Sequence, residues 1–388
     1  MIRRVSSPPA GRPFGAAIVL VAVFTITLMG SVAGLAILRA PATSLCSTHL
    51  PNPDQNGEVG ILVEPVDGRE PIIAEIDAAR CQVDLAVYLL SDEAVLLALE
   101  RAHERGVRVR VMLEEHPFGG GGPQPEVYYR LERAGIAVRW NPPRFRFSHI
   151  KTLIVDNRVA LIMTLNLTEA AFTGNRELAV VTTRGEDVRQ AVAIFAADWS
   201  GASDPPASSL VVSPTDSRQR LLATIDSAVE ELDLYVEVIT DQETIDHLFA
   251  AVARGVTVRL LTSPRTAEPD HVAIQQRLAA GGVQVLLISS PYIHAKLILA
   301  DGIRAFVGSQ NLTATSLDRN RELGLIVTDP YALSRIQAVV ELDARAATPL
   351  TPGQDEVSDR GSVEVVHLAA RRHDGCASTS GTRCLVKS

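Results

Sequence analysis

The sequence predicts an α/β protein. Two α/β/α lobes with mixed sheets are expected, related by a pseudo-twofold axis and preceded by one transmembrane helix. Three observations predict this. The chain is internally duplicated, each copy alternates strand-like and helix-like stretches, and a long uncharged apolar run stands near the N-terminus.

The elements follow in order along the 388 residues. Residues 1–13 carry Arg3, Arg4 and Arg12 ahead of the apolar run 14–38. That run spans roughly 35 Å as a helix, enough to cross a bilayer. The basic flank is expected to place the N-terminus in the cytoplasm and the rest of the chain outside. A cleaved signal ending near Ala40-Pro-Ala42, with secretion, is the competing reading; the length of the run favours an anchor. A linker is expected over 39–60, a first lobe over 61–200, a linker over 201–212 and a second lobe over 213–346. The polar residues 347–388 are expected to form a tail without regular structure. Cys46, Cys81, Cys376 and Cys384 suit an oxidising exterior, with 46–81 and 376–384 as the candidate pairings among three possible connectivities.

The duplication is read from matched segments. Val83-Asp-Leu-Ala-Val-Tyr88 answers Leu232-Asp-Leu-Tyr-Val-Glu237, Arg105-Gly-Val107 answers Arg254-Gly-Val256, and Ala134-Gly-Ile136 answers Gly281-Gly-Val283. Within each copy a β-branched strand is followed by a helix, capped by Asp92 or Asp241 and ended by Gly106 or Gly255. A second strand and a second helix come next, the latter closing at Gly135 or Gly282. The stretch Pro143-Arg-Phe-Arg-Phe147 alternates and is expected to be a strand with one buried face. The run Gly119–Gly122 lacks the Gly-Lys-Ser/Thr of a nucleotide-binding loop and is expected to border a cleft. His103, His116, His247 and His271 have no partner spacing and are expected to be surface or capping residues.

The chemistry concentrates where lysine appears. Of 37 Lys+Arg only three are lysine, and two of these, Lys151 and Lys296, occupy the same pattern. His149-x-Lys151-x4-Asp156 matches His294-x-Lys296-x4-Asp301. On a strand, period-two alternation sends the histidine and the lysine to one face. Lysine is a compact ammonium that fits beside a phosphate oxygen, where arginine presents a rigid fork. Two such pairs meeting across a twofold would repel one another unless an anion lay between them. A phosphate is the expected guest, with no metal and no cofactor. One neutral histidine would attack phosphorus, and the other, protonated, would protonate the leaving oxygen. Asn166 and Asn311 follow each motif and are expected to stabilise the phosphoryl oxygens. Glu177 and Glu322, each after an Asn-Arg pair, are expected to orient a histidine through its second ring nitrogen. Asp156 and Asp301 are expected to shape hairpin turns.

This pair of motifs resembles the phospholipase D superfamily, over about residues 61 to 346. Gly308-Ser-Gln-Asn311 matches the family's Gly-Ser-x-Asn, whereas Met163-Thr-Leu-Asn166 departs from it. Ser309 and Thr164 are the hydroxyls that the resemblance places at the phosphate, with Met163 narrowing its side. It also implies a metal-free phosphohistidine mechanism, with His149 as nucleophile and His294 as acid. A net charge of −8 and the absence of a basic tail make nucleic acid the less expected substrate. A phospholipid is therefore expected, hydrolysed by a monomeric, membrane-tethered catalytic unit. The alternatives are an extracytoplasmic endonuclease and a phosphatidyltransferase like the cardiolipin synthases. Those synthases carry two N-terminal membrane segments where this sequence has one, so hydrolysis is expected ahead of transfer.

Overall fold

The computed structural model describes residues 50–118, 124–207, 209–266 and 268–352. The anchor read at 14–38, Cys46, Cys376, Cys384, the glycine run 119–122 and all of the tail past 352 lie outside them. Among the described residues no helix is long and apolar enough to cross a membrane. Cys81 is disulfide-bonded, to a partner outside the described residues.

The first lobe runs β1 (Val59–Glu64), α1 (Glu70–Ala78), β2 (Gln82–Val87), α2 (Glu93–Glu104), β3 (Arg108–Leu113), α3 (Gln124–Arg133), β4 (Ala137–Trp140), β5 (Lys151–Val155), β6 (Val159–Met163), α4 (Glu169–Thr173), β7 (Asn175–Thr182) and α5 (Gly185–Ser200). The second opens with β8 (Leu210–Ser213), α6 (Ser217–Asp226), β9 (Glu231–Tyr235), α7 (Gln242–Ala253) and β10 (Thr257–Thr262). It continues with α8 (His271–Ala280), β11 (Gln284–Leu287), β12 (Tyr292–Ile293), β13 (Leu297–Ala300), β14 (Arg304–Gly308), α9 (Ala314–Asp318), β15 (Glu322–Val327), α10 (Pro330–Ala346) and β16 (Thr348–Pro349).

Strand order is the same in both lobes. The first sheet reads β1-β7-β6-β5-β2-β3-β4 and the second β8-β15-β14-β13-β9-β10-β11, with β16 at its edge. The β2–β3–β4 and β9–β10–β11 runs are parallel and the remaining neighbours antiparallel, so both sheets are mixed. The first helix after β2 and β9 starts as its sequence demands: Asp92 accepts from the Val95 amide at 3.1 Å and Asp241 from the Thr244 amide at 2.9 Å.

Each sheet is covered on its outer face by its own helices. Ile72, Leu99, Leu131 and Phe172 form one outer core with Leu85 and Leu161; Leu221, Leu248, Leu278 and Leu317 form the other with Leu234 and Phe306. The inner faces share a third core. Ile154, Ile162 and Val180 from the first lobe meet Leu297, Val307 and Leu325 from the second, with α5 and α10 closing it.

Several expectations need correction. Residues 210–212 are no linker, because Leu210–Ser213 pairs with β15. Residues 143–147 form turns and bends, not a strand; Phe145 lies under the Arg321 guanidinium, 4.3 Å from it. His271 is buried, with its Nε2 2.9 Å from the Ser263 carbonyl. Met163 is fully buried in the outer core, so its bulk does not narrow the cleft.

Candidate active site

The two His-x-Lys segments sit at the seam between the lobes. Each histidine precedes its strand, since β5 begins at Lys151 and β13 at Leu297. What fixes each histidine is backbone pairing to the opposite lobe. Ser148 bridges to Arg321, whose amide donates to the Phe147 carbonyl at 2.9 Å. In the mirror position β12 pairs with β7, and the Ala295 amide donates to the Arg176 carbonyl at 2.8 Å. Each histidine thus lies beside the Asn-Arg-Glu segment of the other lobe.

The glutamates are consequently exchanged between lobes. His149 Nδ1 is 2.8 Å from Glu322 Oε2, and His294 Nδ1 is 2.6 Å from Glu177 Oε1. Both glutamates are fully buried, while the two imidazoles keep 13% and 12% of their side-chain surface open. That leaves Nε2 of each ring as the nitrogen not taken by the exchanged glutamate. Lys151 Nζ donates to the His149 carbonyl at 2.9 Å, and Lys296 Nζ to the His294 carbonyl at 2.6 Å. Such bonds hold each ammonium next to its own imidazole.

The charges of the two halves act on one another. Burial, chiefly, with Lys151 and Lys296, holds the His149 imidazole below its ordinary pKa against the pull of Glu322. Burial also pushes the Lys151 ammonium down to about 7, with Glu322 opposing and Lys296 adding to the fall. For Glu177 and Glu322 burial alone would raise the carboxyl. The paired histidine and the nearby lysine outweigh it and hold both below the carboxylate range. Such mutual influence puts the two motifs within electrostatic reach of one another across the seam.

The remaining expected site residues divide. Asn166 and Asn311 each carry a buried Oδ1 without a partner; that oxygen only accepts, so the role expected at the phosphoryl oxygens falls to their Nδ2 hydrogens. Thr164 and Ser309 are not: both are fully buried. Thr164 Oγ1 accepts from the Leu178 amide at 2.9 Å and donates to Glu177 Oε2 at 2.6 Å. Ser309 Oγ accepts from the Leu323 amide at 3.0 Å. These hydroxyls fix the strands that carry the glutamates and do not face the phosphate position. Asp156 accepts from the amides of Arg80, Cys81 and Gln82, and Asp301 from those of Val229, Glu230 and Glu231. Both stand in left-handed turns, at φ 53° and 50°, away from the chemistry.

Sequence reasoning missed Glu237. Its Oε2 lies 2.7 Å from Lys296 Nζ and 3.5 Å from His294 Nε2, and burial, with the charge of this carboxylate nearby, raises the Tyr292 phenol above its ordinary pKa. Burial would raise this carboxyl, but His294 and Lys296 outweigh it and hold it far below its ordinary value. Its counterpart Tyr88 puts a ring edge on His149, with centroids 4.7 Å apart, and sits 5.1 Å from Lys151 Nζ. The signal was present in the matched segments Val83–Tyr88 and Leu232–Glu237, which differ at their last residue. Arg176 and Arg321 stand next to the glutamates in sequence. They are buried, Arg176 against Asp343 at 2.7 Å and Arg321 against Asp198 at 2.8 Å.

Comparison with known proteins agrees with this geometry. The family described as "Cardiolipin synthase, PLD-like domain" matches residues 72–199 and 221–343, one stretch in each lobe. A cardiolipin synthase of Oceanobacillus iheyensis is 22% identical over 354 residues, covering 78% of this chain and 73% of that protein. Cardiolipin synthase A of Pseudomonas aeruginosa is 27% identical over 358 residues, covering 79% and 70%. The human mitochondrial cardiolipin hydrolase is 32% identical over 170 residues, covering 42% of this chain and 61% of that protein. Among solved structures, the phosphatidylserine synthase of Haemophilus influenzae superposes with a TM-score of 0.61 at 14% identity, over 75% of this chain and 87% of the other. The polyphosphate kinase of Porphyromonas gingivalis does so with a TM-score of 0.58 at 18% identity, over 74% of this chain and half of the kinase. At those identities the two structures speak for the fold alone. With both halves matched by one family and its two His-x-Lys motifs gathered at one seam, the chain belongs to the phospholipase D superfamily.

Proposed function

We propose that this protein is a phosphatidyltransferase of cardiolipin-synthase type, moving a phosphatidyl group from one phospholipid to a hydroxyl of a second lipid. The observation that carries the phosphoryl chemistry is the crossed pairing of His149 with Glu322 and of His294 with Glu177 in one buried seam. Transfer, in place of the hydrolysis expected from sequence, is supported by the two cardiolipin synthases that align over more than three quarters of the chain.

In this reading His149 Nε2 attacks phosphorus while Glu322 retains the proton on Nδ1. The bond to the leaving alkoxide breaks, its electron pair stays on oxygen, and His294 Nε2 supplies the proton. Lys151, Lys296, Asn166 and Asn311 stabilise the charge on the non-bridging oxygens. The acceptor hydroxyl then returns its proton to His294 as its oxygen displaces His149. A cleft of about 530 Å³, lined by Pro117, Phe118, Pro142 and Phe147 among others, ends at Phe147, whose ring meets Tyr88 beside His149. Its lining mixes these apolar side chains with Glu114, Glu115, His116 and Arg146. A membrane tether at 14–38 and an extracytoplasmic site belong to the same proposal, supported by the disulfide at Cys81.

Water as the acceptor is the second reading, favoured by the 32% identity to a protein named as a cardiolipin hydrolase. One assay separates the readings. Vesicles of labelled phosphatidylglycerol, with DNA in a parallel reaction, should yield a two-phosphate lipid in excess of phosphatidic acid, and no nicked DNA. A phosphohistidine should be trapped on His149, and His149→Asn should lower turnover on the order of 10³-fold or more. Phosphatidic acid as the main product would favour hydrolysis; nicked DNA with untouched lipid would end both lipid readings.

A further inference from the structure

The two halves of the pocket present the same His, Lys, Asn and Glu, and they part where β2 and β9 run out. There the first half has Tyr88 and the second Glu237. We infer that Glu237 is the positioning residue that commits His294, and not His149, to delivering the proton to the leaving oxygen. This rests on the phosphodiester-transfer reading above.

The geometry is specific to the reacting nitrogen. Glu177 takes His294 Nδ1 from β7, while Glu237 Oε2 approaches the other nitrogen, Nε2, at 3.5 Å. A carboxylate thus faces each nitrogen of the His294 imidazole. The 3.5 Å separation is longer than a firm hydrogen bond, so the Nε2 proton can still turn to a leaving oxygen. His149 meets one carboxylate, Glu322, and the edge of Tyr88. Lys296 donates to the His294 carbonyl, and Tyr292 on β12, with His149 and Lys151 across the seam, lie within electrostatic reach of Glu237.

Charge counting gives the same answer. If His149 is neutral and His294 protonated, Lys151 balances Glu322, and Lys296 with His294 balances Glu177 with Glu237. Each half then sums to zero. With the roles reversed, the first half carries a surplus positive charge and the second an unbalanced negative one, a separation that a buried site disfavours. Burial lowering the affinity of His149 for a proton points the same way.

The test compares two leaving groups on one lipid in the same vesicles. Phosphatidylglycerol releases an alkoxide that needs a proton. Phosphatidyl-p-nitrophenol releases a stable phenolate that does not. Glu237→Gln should lower kcat on phosphatidylglycerol by about 30-fold, less than the ~10²–10⁴-fold of a lost general acid because His294 itself remains. On the p-nitrophenyl ester it should cost less than about threefold. Glu237→Asp, which keeps the negative charge, should bring the ratio of the two rates back to within about threefold of wild type. Loss of both activities by one common factor in Glu237→Gln, or an Asp variant that leaves the ratio displaced, would overturn the assignment. A wild-type protein that turns over neither lipid would instead overturn the transfer reading itself.

Discussion

Lys151 shows at the scale of one residue how burial and chemistry compete. Its ammonium is fully enclosed, and burial brings its pKa to about 7. The charged form is the one that can stabilise a phosphoryl oxygen, and it is lost as pH rises through that value. kcat/KM, which reports the free protein, should therefore fall above about pH 7. A bound phosphodiester anion favours the ammonium, so kcat should hold to higher pH. Lys151→Arg, charged at every accessible pH, should abolish the alkaline limb of kcat/KM while lowering the rate, because a planar fork does not fit the site. A limb that persists unchanged in that variant would assign it to another group. The two histidines and two lysines were legible in the sequence because a spacing repeated in both halves is a local property, although the histidines stand just ahead of their strands and not on a strand face. The roles of Thr164 and Ser309 were not. Their partners, the amides of Leu178 and Leu323, lie on a strand 14 residues away whose register no spacing reveals.

Among the elements, the hairpins that follow each motif are the clearest case of sequence dictating form. Asp156-Asn157 and Asp301-Gly302 all adopt positive φ, between 50° and 65°, the conformation a tight two-residue turn requires. Asp301 adds a second function by accepting three successive amides at the start of β9. Asp301→Ala should cost about 1–3 kcal/mol in urea unfolding, because those donors lose their acceptor. Activity per folded molecule should change less than about twofold, as expected away from the reacting groups. Loss of activity at unchanged stability would put the aspartate back into the chemistry. The capped helices and the parallel strands were equally readable, since caps and apolar runs are local. The short strand β12 was not, for it exists only because Tyr292 and Ile293 find β7 of the other lobe.

For the whole molecule, the lobes are tied by a common core and by two buried arginines. Arg176 of β7 reaches Asp343 of α10 through two bonds of 2.7 and 2.8 Å, and Tyr235 donates to the same carboxylate at 2.6 Å. Asp343→Ala leaves a buried guanidinium without its counter-ion and should lower stability by about 3–5 kcal/mol. Replacing both partners, Arg176→Met with Asp343→Leu, should recover much of that loss, and thermal unfolding of the three variants measures it. A single Ala variant as stable as wild type would show the pair to be dispensable. The duplication announced a pseudo-twofold arrangement, but not that the glutamates would be exchanged across it. Repeats reveal that two halves are alike; they do not reveal which half completes the other.

That exchange bears on descent. A lone copy of the repeat holds an imidazole without the carboxylate that orients it, and two identical copies facing one another across a dyad make good the deficit reciprocally. Covalent fusion keeps the reciprocity and lifts the requirement that the copies stay the same. A single chain can carry Tyr88 in one half and Glu237 in the other, as this one does, where two identical subunits about a dyad would have to carry the same residue.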